Sequence, residues 1–265
     1  MVYLAMNRVN ALDVERAHVI GHIFLNGEFN SDGTVNLCAT TIDGNLICDC
    51  GHFSSATATA VQMERVDVTG HVRLNDGFRA EGTVSLLRAR IGGNLECLGG
   101  QFSAPDRSPS SDAPRYALQA ELSTIGGSVI LRPLLDRQKK LSQPFLASGT
   151  VSFLNARISG SVECEGRAII NESGDALLLV GAEITGNLKL GPGFHAQGSV
   201  NLSRVRVSGG WQMAGFVEAD KIKTLDLRFS SATTVEHVSC SWPEPGRLLM
   251  DGLGIQKRFC RTSIL

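Results

Sequence analysis

From residue 11 onward, apolar and polar residues alternate in short runs that stop at a glycine and resume beyond it. The run A-L-D-V-E-R-A-H-V-I-G-H-I-F-L at 11–25 lies over T-V-N-L-C-A-T-T-I-D-G-N-L-I-C at 34–48 without a gap, at an offset of 23 residues. Further copies begin at Ala60, Thr83, Ala117, Thr150, Ala176 and Ser199, so eight coils follow one another at intervals of 23, 26, 23, 34, 33, 26 and 23 residues. Positions two, four, nine, thirteen and fifteen are apolar, as in Val84, Leu86, Ile91, Leu95 and Cys97. Position eleven is glycine in all eight coils: Gly21, Gly44, Gly70, Gly93, Gly127, Gly160, Gly186 and Gly209. Period-two alternation on each side of a glycine predicts short strands with one face inward, joined at a corner that excludes a Cβ. No helical period of useful length separates the copies, which argues against a leucine-rich horseshoe or a helical array. The expected fold is all-β, a single-stranded parallel β-helix (β-solenoid) of about eight 23-residue coils, right-handed.

The whole chain, 1–265, reads as one solenoid domain. Residues 1–10 are expected to form an N-terminal cap, 11–216 the eight coils with insertions at 103–116 and 133–148, and 217–265 a partial coil and C-terminal cap. Leu225 to Leu227 begin a ninth coil, but the later columns then carry Ala232, Thr234 and Glu236, and the register fades.

Outward columns alternate in sign: Asp67 beside Arg90, Arg157 then Glu183 then Arg206, Arg73 beside Glu96, and Glu163 beside Lys189. Stacked about 4.8 Å apart, such charges form solvated ladders rather than a catalytic carboxylate cluster. Phe29, Phe78, Phe145 and Phe194 each fall four residues before a glycine and are expected to stack at another corner.

The fifteenth column reads Leu25, Cys48, Leu74, Cys97, Leu131, Cys164, Leu190, Met213, so cysteine stands in for leucine. Cys48 and Cys97, two coils apart, would be separated by roughly 9–10 Å, too far for a disulfide or shared zinc ligation. Cys50, near a turn, is the candidate exposed thiol. His22 and His71 share a column with Asn45 between them and read as turn or surface residues. No catalytic, metal or cofactor-binding residue is expected, and no cofactor.

The 265 residues carry a net charge of −1, with 19% charged residues and 29 glycines, which does not favour nucleic acid as a partner. Seven cysteines, an odd number, argue against a secreted disulfide framework. The N-terminal stretch lacks a signal-peptide pattern and the longest apolar run, 176–180, is too short for a transmembrane segment. A cytoplasmic location is expected, with peripheral membrane contact left open.

The repeat A-L-x-x-x-x-A-x-I-x-G-x-V-x-L-x-x-x-F followed by G-T-V-x-L-x-x-A-x-I-G-G-N-L-x-C-x-G-G-x-F resembles that of a bacterial family of glycine-rich β-solenoid proteins. Its members are often labelled membrane-associated oxidoreductases or grouped with pentapeptide-repeat proteins. The resemblance covers residues 11 to about 216 and extends to Trp242-Pro243 and the G-R-L-L-M-D-G-L segment at 246–253. Beyond it the chain departs from the family pattern, which implies a shortened or altered C-terminus. The resemblance implies the same fold; it brings no catalytic residue to these positions, and the repeats hold no flavin, nicotinamide or thiol-pair motif.

Function is expected to be that of a non-enzymatic scaffold for protein interaction or self-assembly. The alternative is an enzyme, either the oxidoreductase of the family label or a hydrolase using an outer β-sheet face. The first insertion reads as an extended loop, and the second, with L-L-D-R-Q-K-K-L between prolines, as about two helical turns. The two are expected to form one lobe, on which Arg132, Arg137, Lys139 and Lys140 would dock an acidic partner.

Overall fold

The computed structural model describes residues 10–105, 114–136, 138, 140–166, 169–214, 219–238 and 243–262. They form an all-β parallel β-solenoid of about 9 turns, with ~25 residues per turn. The second column stacks without a slip: Val35 pairs with Val61, Val61 with Val84, Val84 with Leu118, Leu118 with Val151, Val151 with Leu177, Leu177 with Val200 and Val200 with Leu225. Two long parallel sheets result, one folded at the glycine column and the other at the joint between coils. The inward columns fill the space between them, so Val84, Leu86, Leu95 and Cys97 are fully buried. Leu12, Val14 and Ile23 of the first coil are only partly covered.

The glycine column is explained by close approach. The N–H of Gly93 donates to the carbonyl of Gly70, that of Gly127 to Gly93 and that of Gly160 to Gly127, each at 2.8 Å. A Cβ on Gly160 would lie 2.6 Å from the Gly127 carbonyl oxygen, a distance that Cβ atoms do not adopt. Of the eight, Gly21 alone has a left-handed φ, +109°. The left-handed corner sits instead at the sixth column, where Arg16, Ala39, Arg65, Arg88, Leu122, Asn155 and Arg204 have φ between 53° and 59°. Such a conformation costs a non-glycine residue about 1–2 kcal/mol. It is held by a backbone turn, as from the Ala89 N–H to the Leu86 carbonyl at 3.0 Å. Polar third-column side chains brace several of these turns: the Cys38 N–H donates to Asn36 Oδ1, and the Arg228 N–H to Asp226 Oδ1.

Even-numbered coils differ from odd ones at the joint. Gly33, Gly82, Gly149 and Gly198, with φ of 130–131°, bend the chain tightly into coils two, four, six and eight. The third and seventh coils are entered by longer excursions, at 55–58 and at 171–174, each set against a single glycine of the next coil. The threonine after each of the first three tight glycines fastens the next excursion. Thr34 Oγ1 donates to the Thr59 carbonyl at 2.7 Å, Thr83 to Tyr116 at 2.8 Å and Thr150 to Asp175 at 2.7 Å. The recurrent G-T-V is thus a bend, a latch and a core residue in succession.

Coil pairing continues beyond residue 216. The strand Ser231–Val238 lies on Arg206–Ala214, and Gly254–Thr262 lies on it in turn. A register shift between Ala232 and Thr234 pairs Trp211 with Val235, so that Val235, at 1% exposure, turns inward. The expected column had placed Glu236 at that point. A phenylalanine stack runs Phe29, Phe53, Phe78, Phe102, Phe145, with ring centroids 5.2, 5.2, 5.2 and 5.7 Å apart. Phe53 and Phe102 join it although no glycine follows four residues later.

Candidate interaction surfaces

The second insertion is a β-hairpin, not the two helical turns expected. Leu134–Leu135 and Leu141–Gln143 pair antiparallel, with Leu134 opposite Gln143 and Leu135 opposite Leu141. Asp136 closes the loop, its Oδ1 accepting from the N–H groups of Gln138 at 2.8 Å and Lys140 at 2.9 Å. The hairpin base presses on turns of flanking coils: a Cβ on Gly99 would meet Gln143 Cβ at 2.9 Å and Leu134 Cβ at 3.0 Å, and one on Gly166 would meet Pro133 Cδ at 2.8 Å. Beyond this base, Leu135 is 50% and Leu141 59% exposed.

The four candidate cations divide. Arg132 Nη1 binds Glu163 Oε2 at 3.2 Å, and Glu163 Oε1 also binds Lys189 Nζ at 3.0 Å, so Arg132 belongs to the body's outer ladder. Lys140 is exposed on the hairpin. Arg137 and Lys139 lie outside the described residues, as does 106–113 of the first insertion. The two insertions leave opposite ends of one strand row, the first after Gln101–Ser103 and the second ahead of Leu146–Ser148.

Two open clefts of nearly equal size lie along the joint between coils. One, of about 520 Å³, is lined by Ser55, Arg79, Glu81, Ser103, Arg115 and Ser148 around Gly82. The other, of about 540 Å³, is lined by Glu172, Gln197, Asp220, Lys221, Lys223 and Arg247 around Gly198. In the first, Arg79 Nη2 binds Glu81 Oε1 at 2.8 Å. In the second, Arg247 Nη1 donates to the Asp220 carbonyl at 2.8 Å and Nη2 binds Glu244 at 3.1 Å. The sequence reading missed both clefts; its available signal was the placement of the 26- and 34-residue intervals, each leading into an odd coil.

The groups that suggested chemistry serve the scaffold. Cys48, Cys97 and Cys164 are free and buried, and burial pushes all three thiols up, that of Cys164 to about 12. Cys50 is exposed and free, and its thiol is also raised, by partial burial first and then by Asp76. His22 Nδ1 accepts the N–H of Asn45 at 2.9 Å, Asn45 Oδ1 that of His71 at 2.7 Å, and His71 Nδ1 that of Asn94 at 2.9 Å. Asn94, Ser128, Ser161 and Asn187 continue this ladder to the Gly210 N–H. Arg157 and Arg206 flank Glu183, whose carboxyl they hold below its ordinary range, chiefly through the Arg206 hydrogen bond. Among the described residues, no group of three or more His, Cys, Asp or Glu is placed to hold a metal ion, and no helix is long and apolar enough to cross a membrane.

No protein-family model, curated protein or solved structure matches this chain.

Proposed function

We propose that the chain is a non-enzymatic repeat scaffold that holds out the 134–143 hairpin to dock a protein partner. The exposed pair Leu135 and Leu141, facing each other across a hairpin whose base is seated on Gly99 and Gly166, carries this reading. Two leucines on a small projection are apolar surface that the fold itself does not use. Covering such a side chain is worth about 1.5–3 kcal/mol when burial is complete. A rigid base also lowers the ordering cost of binding. Lys140, with Arg137 and Lys139 next to it in sequence, adds positive charge around the pair and favours an acidic rim on the partner.

The test compares partners co-purified with the wild-type chain, with Leu135→Glu/Leu141→Glu, and with a variant whose hairpin is replaced by a Gly-Ser linker. Both variants should keep the wild-type melting curve and lose the partner, or lose self-association in the ultracentrifuge if the partner is a second copy. Folded variants that retain every partner would exclude the hairpin. A flavin absorbance band in the purified protein would overturn the non-enzymatic reading.

A further inference from the structure

Among the described residues, both ends of the rod leave strands with a neighbour on one side only. At the head, Asn10–Asp13, His18–Val19 and Ile23–Phe24 each pair with the second coil alone. At the tail, Leu248–Leu249 and Gly254–Thr262 each pair with the coil before them alone. Of the seven large apolar residues exposed among the described residues, two lie on the hairpin and four at these ends: Ile20 and Phe24 at the head, Phe229 and Met250 at the tail. Inward columns are also only partly covered there, as at Leu12 and Val14 in the first coil and Leu248 and Ile255 in the last.

We propose that the tail of one copy of this chain docks on the head of the next, so that the rod extends by end-to-end stacking. The backbone selects this occupant. Along the rod, N–H groups of the fourth and sixth columns donate to the following coil, as Leu227 does to the Leu249 carbonyl at 2.8 Å and Phe229 to that of Asp251 at 2.9 Å. Met250 and Gly252 hold those columns in the last coil, where no described coil follows, and the head presents the matching carbonyls at Asp13 and Glu15. N–H groups of the eighth and tenth columns donate to the preceding coil, as Thr41 does to Ala17 and Asp43 to Val19, both at 2.9 Å. His18 and Ile20 hold those columns in the first coil, and the tail presents the matching carbonyls at Leu253 and Ile255. Stacked in register, each open donor meets an open acceptor, with the strands parallel as they are within the rod.

Charge selects the same occupant. Residues 10–32 carry Asp13, Glu15, Glu28 and Asp32 against Arg16, a net charge of −3. Residues 243–262 carry Arg247, Lys257, Arg258 and Arg261 against Glu244 and Asp251, a net charge of +2. Residues 1–9, which lie outside the described residues, add only Arg8 and leave the head negative. Head on head or tail on tail would set like charges together, whereas tail on head sets opposite charges together. A heterologous contact of this kind repeats without closing.

The experiment is sedimentation velocity over a concentration series, with negative-stain microscopy of the same samples. The wild-type chain should form rods whose lengths rise in steps of about 43 Å, nine turns at one strand spacing each. Met250→Glu/Lys257→Glu sets carboxylates against the acidic head, and Ile20→Lys/Phe24→Lys sets ammonium groups against the basic tail. Each variant should keep the wild-type melting curve and associate about 100-fold more weakly or less. Mixing the two should restore association, because each supplies the end that the other lacks. The chain whose hairpin is replaced by a Gly-Ser linker should form the same rods, which separates this contact from docking at the hairpin. A wild-type chain that stays monomeric at every concentration would overturn the proposal. Loss of association in only one of the two folded variants would reveal a like-with-like contact and overturn it equally, as would loss of the rods with the hairpin.

Discussion

Gly93 lies so close to His71 that a Cβ on the glycine would come within 2.7 Å of the imidazole Nδ1. The same nitrogen accepts the Asn94 N–H at 2.9 Å, so one histidine atom both caps a backbone donor and occupies the space a side chain would need. Two adjacent columns are thereby tied together: glycine at the eleventh position, and a short acceptor at the twelfth.

Gly93→Ala should therefore destabilise the fold by about 1–3 kcal/mol through overpacking, since the Gly70 carbonyl oxygen would lie 2.9 Å from the new methyl group. The φ of Gly93 is not left-handed, so the cost is steric. Urea denaturation measures it, and an unchanged midpoint would remove close approach as the cause.

His71→Asn should be nearly neutral, because Asn45, Asn94 and Asn187 already perform this role in other coils. His71→Leu, which leaves the Asn94 N–H without its acceptor, should cost about 1 kcal/mol. The comparison is again by urea midpoint. Equal loss in both variants would show that ring packing, not the acceptor, is what matters.

The buried thiols make stability fall at alkaline pH. Cys48 and Cys97 are raised far above the ordinary 9.0, and Cys164 to about 12, in each case mainly by burial. Above pH 9 the unfolded thiols lose protons that the folded ones keep, so the folded state binds more protons and stability declines as pH rises. Below pH 9 this contribution is fully present. Each thiol contributes a slope of about 1.4 kcal/mol per pH unit across its window. Replacing all three by valine should flatten the decline between pH 9 and 12 relative to wild type. A variant with the wild-type alkaline slope would refute this assignment.

The inward columns were legible because one residue type repeated at one spacing identifies a buried position without any knowledge of what it touches. Cysteine in the place of leucine at Cys48, Cys97 and Cys164 could be read the same way, and all three are buried. The ninth coil was harder to see because a single register shift after Ala232 moves Val235 into the column where a fixed count puts Glu236. The hairpin was misread because its local composition suits a helix. Eight helical residues would carry the chain about 12 Å along an axis. The base at Leu134 and Gln143 instead requires both ends to meet over Gly99.

By itself the sequence determined the coil, its period, its inward face and the glycine corner, since these depend on which residues recur. The tertiary structure decided what recurrence cannot express: the left-handed sixth column, the acceptor ladder through His71, the threonine latches and the paired clefts around Gly82 and Gly198. Each of these rests on turn geometry or on a distance of a few ångströms between residues a whole coil or more apart in the chain. Such distances are set only when one coil is laid on the next.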